Sequence, residues 1–162
     1  MTFEVKTPIP GFDKIKKVKL EKIDDFFMRL KSCDDDTVFM LINPFLLREY
    51  DFEVPEYFKN LLELEEQSNT LVLNIMIVST PIETSVVNFI APLIFNTDKG
   101  SVAQVLLDSN KYYDIPSAIV SLTEVPPSFL KLITNDNIPK VIPIIHAKGS
   151  MRKVSYTKPP AI

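Results

Sequence analysis

The chain has 162 residues, 46% of them hydrophobic and 24% charged, with a net charge of −3. That balance excludes a disordered chain, and the length lets one domain bury a core without help from a disulfide or a metal. Cys33 is the only cysteine, which excludes an internal disulfide and reads as a passive thiol in a reducing compartment.

Taken in chain order, Met1-Thr2-Phe3-Glu4-Val5-Lys6 places an acid where the apolar stretch of a secretory signal would begin, so a cytoplasmic protein is expected. Residues 3–5 read as a first strand, ended by Pro8 and Pro10-Gly11. Lys14, Lys16, Lys17 and Lys19 alternate with Ile15 and Val18, and outward lysines guarding a strand edge explain that pattern better than nucleic-acid contact. Residues 38–42 form a second clear strand, stopped at Asn43-Pro44 because proline lacks a ladder donor. Residues 55–64 set Phe58, Leu61 and Leu62 at helical spacing behind Pro55, predicting a helix of about three turns that plugs one end of a barrel. Residues 71–78 read as a central strand buried on both faces, and they fall far short of the roughly 18–20 apolar residues that span a bilayer. Strands over 85–89, 93–95 and 102–107 follow, separated by Ala91-Pro92 and by the turn from Asn96 to Gly100. The sum is an all-β fold: a small closed or partly open β-barrel or roll of short antiparallel strands with one or two short helices.

Charge and proline divide the chain near residue 114. Residues 1–114 carry 12 lysines and arginines against 19 aspartates and glutamates, while residues 115–162 carry 6 against 2 and hold seven of the thirteen prolines. An acidic β-barrel domain over 1–114 and a basic, proline-rich tail over 115–162 are therefore expected. Within that tail, residues 138–145 contain Pro139 and Pro143 and make at most an edge strand.

Residues able to carry catalysis are sparse. His146 is the only histidine and has no carboxylate or cysteine near it in sequence, and no nucleophile-elbow pattern occurs. Asp34-Asp35-Asp36 lacks the alternating ligands, glycine and distal glutamate of a calcium loop and reads as a solvated loop. Glu63, Glu65 and Glu66 read as a wet helix end. No phosphate-cradling glycine loop is present. The expectation is a protein that is not an enzyme and needs no cofactor or metal. Gln104 shares a strand face with Val102 and Leu106, so its amide must find a hydrogen bond or a contact surface.

The ordered string of these residues resembles the FliW family of flagellar assembly factors. It runs through Phe3-Glu4-Val5-Lys6 with Pro8-Ile9 and Gly11-Phe12, then Leu41-Ile42-Asn43-Pro44 followed by Arg48-Glu49-Tyr50. It continues with Pro55 and Leu61-Leu62-Glu63-Leu64, Asn74-Ile75, and Val87-Asn88-Phe89 with Ala91-Pro92 and Asn96. Ala103-Gln104-Val105 with Leu107-Asp108 completes a likeness covering residues 2–113. It departs at Tyr112-Tyr113, where the family pattern has a Tyr-Pro pair, and nothing after Asp114 matches.

The resemblance implies a monomeric cytoplasmic protein that binds flagellin and antagonises the RNA-binding translational repressor CsrA in a partner switch, with no direct nucleic-acid or membrane contact. Asn43, Pro44, Tyr50, Asn88, Ala91, Pro92 and Gln104 stand at the family's recurring positions and are its implied partner-binding residues. The competing expectation is a direct RNA-binding β-barrel module, which needs basic and aromatic residues on one sheet face.

Overall fold

Alternation of apolar and polar residues along each strand decides which face turns inward, and the computed structural model, which describes residues 1–112 and Val120–Ser121, places nine strands accordingly. These are β1 (Thr2–Val5), β2 (Lys17–Lys22), β3 (Phe27–Ser32), β4 (Val38–Ile42), β5 (Thr70–Ile77), β6 (Val86–Val87), β7 (Leu93–Asn96), β8 (Ser101–Gln104) and β9 (Val120–Ser121). The sheet runs β4-β3-β2-β1-β8-β7-β5, and a further β4–β5 pairing closes these seven strands into a barrel. Neighbours around the ring are antiparallel except β1 and β8, which pair in parallel, a departure from the all-antiparallel expectation. Along one edge of β5, residues 70–73 pair with β7 and residues 76–77 with β6, and β6 in turn pairs with β9. The expected division at residue 114 and the segment 138–145 lie outside the described residues.

Two cores follow from the two faces. Phe3, Val18, Leu30, Leu41, Leu73, Phe95 and Val102 come from all seven ring strands and fill the barrel. The other face of β5, β7 and β8 supplies Val72, Ile94 and Ala103, which pack against Phe45, Tyr50, Phe52 and Leu62 from the segment between β4 and β5. Strand β5 is thus buried on both faces, as its near-continuous apolar sequence predicts.

The helix α1 (Glu56–Leu61) is six residues long, shorter than the three turns expected. It stops because Glu63 takes a left-handed conformation, φ 52°, while the Leu64 N–H reaches back to the Lys59 carbonyl at 2.9 Å and closes the helix end. It does not plug a barrel end: Leu62 belongs to the outer core, and the Asn96 amide on β7 donates to the Leu62 carbonyl at 2.9 Å. The lysines of β2 do not guard an edge either. That strand lies inside the ring between β1 and β3, with Lys17 and Lys19 outward and Val18 and Leu20 inward.

Candidate functional site

The seven family-position residues separate into two groups. Asn43 is buried, and its side-chain oxygen accepts the Phe45 N–H at 3.0 Å, capping the 3-10 turn Pro44–Leu46 in which Pro44 is also buried. Tyr50 is 1% exposed, touches the rings of Phe45, Phe52 and Phe89, and donates its hydroxyl to the Phe89 carbonyl. Burial drives its pKa well above the ordinary tyrosine range, so it stays a neutral donor. Pro92 is buried, and its carbonyl accepts the Val105 N–H at 2.8 Å. These four hold the outer layer together and offer no side-chain surface to a partner.

Asn88, Ala91 and Gln104 come together in a groove of about 540 Å³, where Asn88 is half-buried while Ala91 and Gln104 are themselves buried at its floor. Gln104 donates from Nε2 to the Ala91 carbonyl at 3.1 Å, tying the end of β8 to the turn before β7. Asn88 is held through its main chain: its N–H donates to the Ile75 carbonyl at 3.0 Å, and its carbonyl accepts from Asn74 Nδ2 at 2.6 Å. Its side-chain Oδ1 is buried and has no partner among the described residues. The Gln104 amide makes the strand-tying hydrogen bond that its apolar face required, and its side chain also lines the groove.

The sequence reading missed the rim. Phe12, Val38, Ile77 and Leu106 also line the groove and are 40%, 51%, 59% and 63% exposed. Phe12 was visible as an aromatic residue in a Pro-Gly turn; it stacks edge-on against Phe39 with ring centroids 4.8 Å apart. Leu106 was assigned to a strand face, but β8 ends at Gln104 and leaves it in solvent. Every groove-lining side chain among the described residues is uncharged.

Elsewhere the titratable groups are engaged structurally. Asp34 accepts the N–H groups of Lys16 and Lys17 at 2.7 and 2.9 Å, and Asp35 accepts that of Thr37 at 2.9 Å; these donors hold both carboxyls below their usual range. No group of three or more potential metal ligands occurs among the described residues, and His146 lies outside them. On the outer face of β2 and β3, Glu21 bridges Lys19, Arg29 and Lys31, each at 3.1 Å. The aromatic residue of β3, Phe27, shares that face by alternation and is half-buried against the outer core. Among the described residues no helix is long and apolar enough to cross a membrane.

Comparison with known proteins agrees with this geometry. The FliW protein family model matches residues 1–116. The chain is similar to flagellar assembly factor FliW 2 of Wolinella succinogenes, 58% identical over 113 residues that cover 69% of this chain and 83% of the relative. It is also similar to flagellar assembly factor FliW of Sulfurimonas denitrificans, 53% identical over 120 residues covering 74% of this chain and 95% of that one. A crystal structure of the flagellar assembly factor FliW shares the fold with a TM-score of 0.68 at 24% identity, covering 75% of this chain and 84% of its own. From the matched sequence, the closed seven-stranded barrel and these relatives together, the chain belongs to the FliW family of flagellar assembly factors.

Proposed function

We infer that this protein is a non-catalytic partner switch: it holds cytoplasmic flagellin before export and, once flagellin has left, binds CsrA and relieves repression of flagellin translation. The observation that carries the reading is the uncharged apolar groove, with its exposed rim, on a chain of the flagellar assembly factor family. An apolar rim left in water is a standing cost that a docked protein removes, whereas a catalytic site needs convergent titratable groups. Asn88, Ala91 and Gln104 are assigned to flagellin contact, and Asn43, Pro44, Tyr50 and Pro92 to supporting the walls.

The second surface is acidic. Exposed Glu49, Glu53, Glu56, Glu63, Glu65 and Glu66 lie in the sequence around α1 and share no residue with the groove. Glu53, Glu56 and Glu63 pair with Lys111, Lys59 and Lys99, and the excess of acid that remains suits a basic RNA-binding partner by speeding encounter. Residues 1–114 form the binding body in this reading, a monomer, with residues 115–162 as a basic tail whose strand β9 pairs with β6. The Tyr50–Phe89 contact joins the two surfaces, since Phe89 follows the groove residue Asn88 while Tyr50 belongs to the segment leading into α1.

The test is co-elution of the full chain with monomeric flagellin from a sizing column. Gln104→Ala is expected to weaken the complex while leaving cooperative melting in place. Equal loss of binding and of cooperative melting assigns Gln104 to the fold, and no co-elution of the native chain overturns the reading.

A further inference from the structure

The groove sits where two strands part. The β4–β5 ladder runs from Ile42↔Asn74 to Met40↔Met76 and ends there, although β4 begins two residues earlier at Val38. In an antiparallel pair the main-chain groups of successive residues face opposite edges. Thr37 turns its carbonyl to β3, where it accepts the Ser32 N–H at 2.8 Å, so the N–H and C=O of Val38 face the other edge, past the end of the ladder. On β5 the Ile75 carbonyl serves Asn88, which by the same alternation turns the main chain of Val78 back towards β4. Val38 and Val78 are each 51% exposed, and neither has a ladder partner across this fork among the described residues.

Three features therefore coincide: an open strand edge at Val38, a rim of exposed apolar side chains, and the buried, unpartnered Asn88 Oδ1 in a lining without charge. An open strand edge invites pairing, and extended peptides use such edges for affinity and the neighbouring pockets for alternate side chains; here the edge offers the main chain of Val38 and the apolar rim supplies the rest. Charge sharpens the choice of guest. An ionised side chain placed in the groove would lose water without gaining a counter-charge. Just outside it, Asp13 follows Phe12, Asp36 precedes Val38 by two residues, and Asp108 follows Leu106 by two, all exposed, against Lys14 and Lys16, the latter donating to the Asp13 carbonyl at 2.9 Å.

We propose that the groove receives a partner segment in extended form, which adds a strand to the β4 edge at Val38, is apolar and uncharged at its centre, and carries basic residues beyond it. This rests on the flagellin-holding reading and specifies which kind of flagellin segment is held.

The test uses the full chain, purified monomeric flagellin, and overlapping synthetic peptides tiling flagellin. Calorimetric titration finds binding in peptides with an uncharged apolar centre, and hydrogen exchange followed by NMR finds the Val38 amide slowed in the complex. Leu106→Asp and Ile77→Asp, both at exposed positions that the fold tolerates, each weaken binding about tenfold or more. Val38→Pro, which removes the edge donor, weakens it with the peptide side chains unchanged. Flagellin bound at native affinity by the aspartate variants overturns the groove assignment and leaves the flagellin reading standing. A bound peptide that is helical, with Val38 exchange unaltered, overturns strand addition. Val38 exchange already slow in the free protein means that residues 122–162 or a second copy cover the edge, which also overturns it. If native protein binds no flagellin at all, the flagellin reading fails first.

Discussion

Tyr50 and Gln104 occupy family positions of the same apparent standing, yet they do different physical work. Tyr50 donates to the Phe89 carbonyl inside the outer core, so Tyr50→Phe leaves that carbonyl short of a partner and costs about 1–3 kcal/mol of stability. Urea denaturation reads that loss, and flagellin affinity of the folded variant stays near native. Gln104→Ala is expected to give the opposite pattern, with binding more affected than stability, because its side chain lines the groove. Glu21 supplies a residue-scale test of the electrostatics. Its three cationic neighbours, Lys31 and Lys19 foremost, lower its pKa from 4.5 to about 2. A carboxylate depressed in the folded state stabilises fully above its unfolded pKa and loses that contribution as pH falls through the folded value. Native protein therefore sheds part of its stability between about pH 4.5 and 2, and Glu21→Gln flattens that part of the denaturation-midpoint profile. A parallel profile for the variant assigns the acid loss to other carboxyls.

At the scale of elements, strands with unbroken apolar runs were legible, and of those with one dry face β1 was read while β3 was not. β4, β5 and β7 fall close to their expected positions because both faces carry apolar residues. β3 escaped notice because only Met28 and Leu30 turn inward while Arg29 and Lys31 take the wet face. The alternation in β2 was seen, but its edge position was misjudged, since sequence does not reveal which strand closes on which. For the same reason the groove was illegible: Ile9 after β1, Val38 at the start of β4 and Leu106 after β8 are far apart in sequence and meet only because the ring closes through the β4–β5 pairing. Helix α1 was found and overextended, and its stop depends on one strained residue. Glu63 sits at φ 52°, a conformation that costs an L-residue about 1–2 kcal/mol. Glu63→Gly stabilises the protein by about 1 kcal/mol in chemical denaturation, since the exposed ion pair with Lys99 that it removes is worth little. Destabilisation by this change would mean that the Glu63 side chain contributes more than its backbone strain costs.

The whole molecule presents an uncharged groove at the β4–β5 fork and a glutamate-rich segment around α1, and both touch the outer core that includes Tyr50 and Phe89, the groove through Met76 and the helix through Phe58. A switch needs these two surfaces to communicate, and linkage requires the effect to be reciprocal. The most direct measurement is a titration of CsrA into the full chain, once alone and once with monomeric flagellin at saturation. The account predicts that CsrA affinity falls at least about fivefold with flagellin bound, and that flagellin affinity falls by the same factor with CsrA bound. Independent, unchanged binding of the two proteins would contradict it.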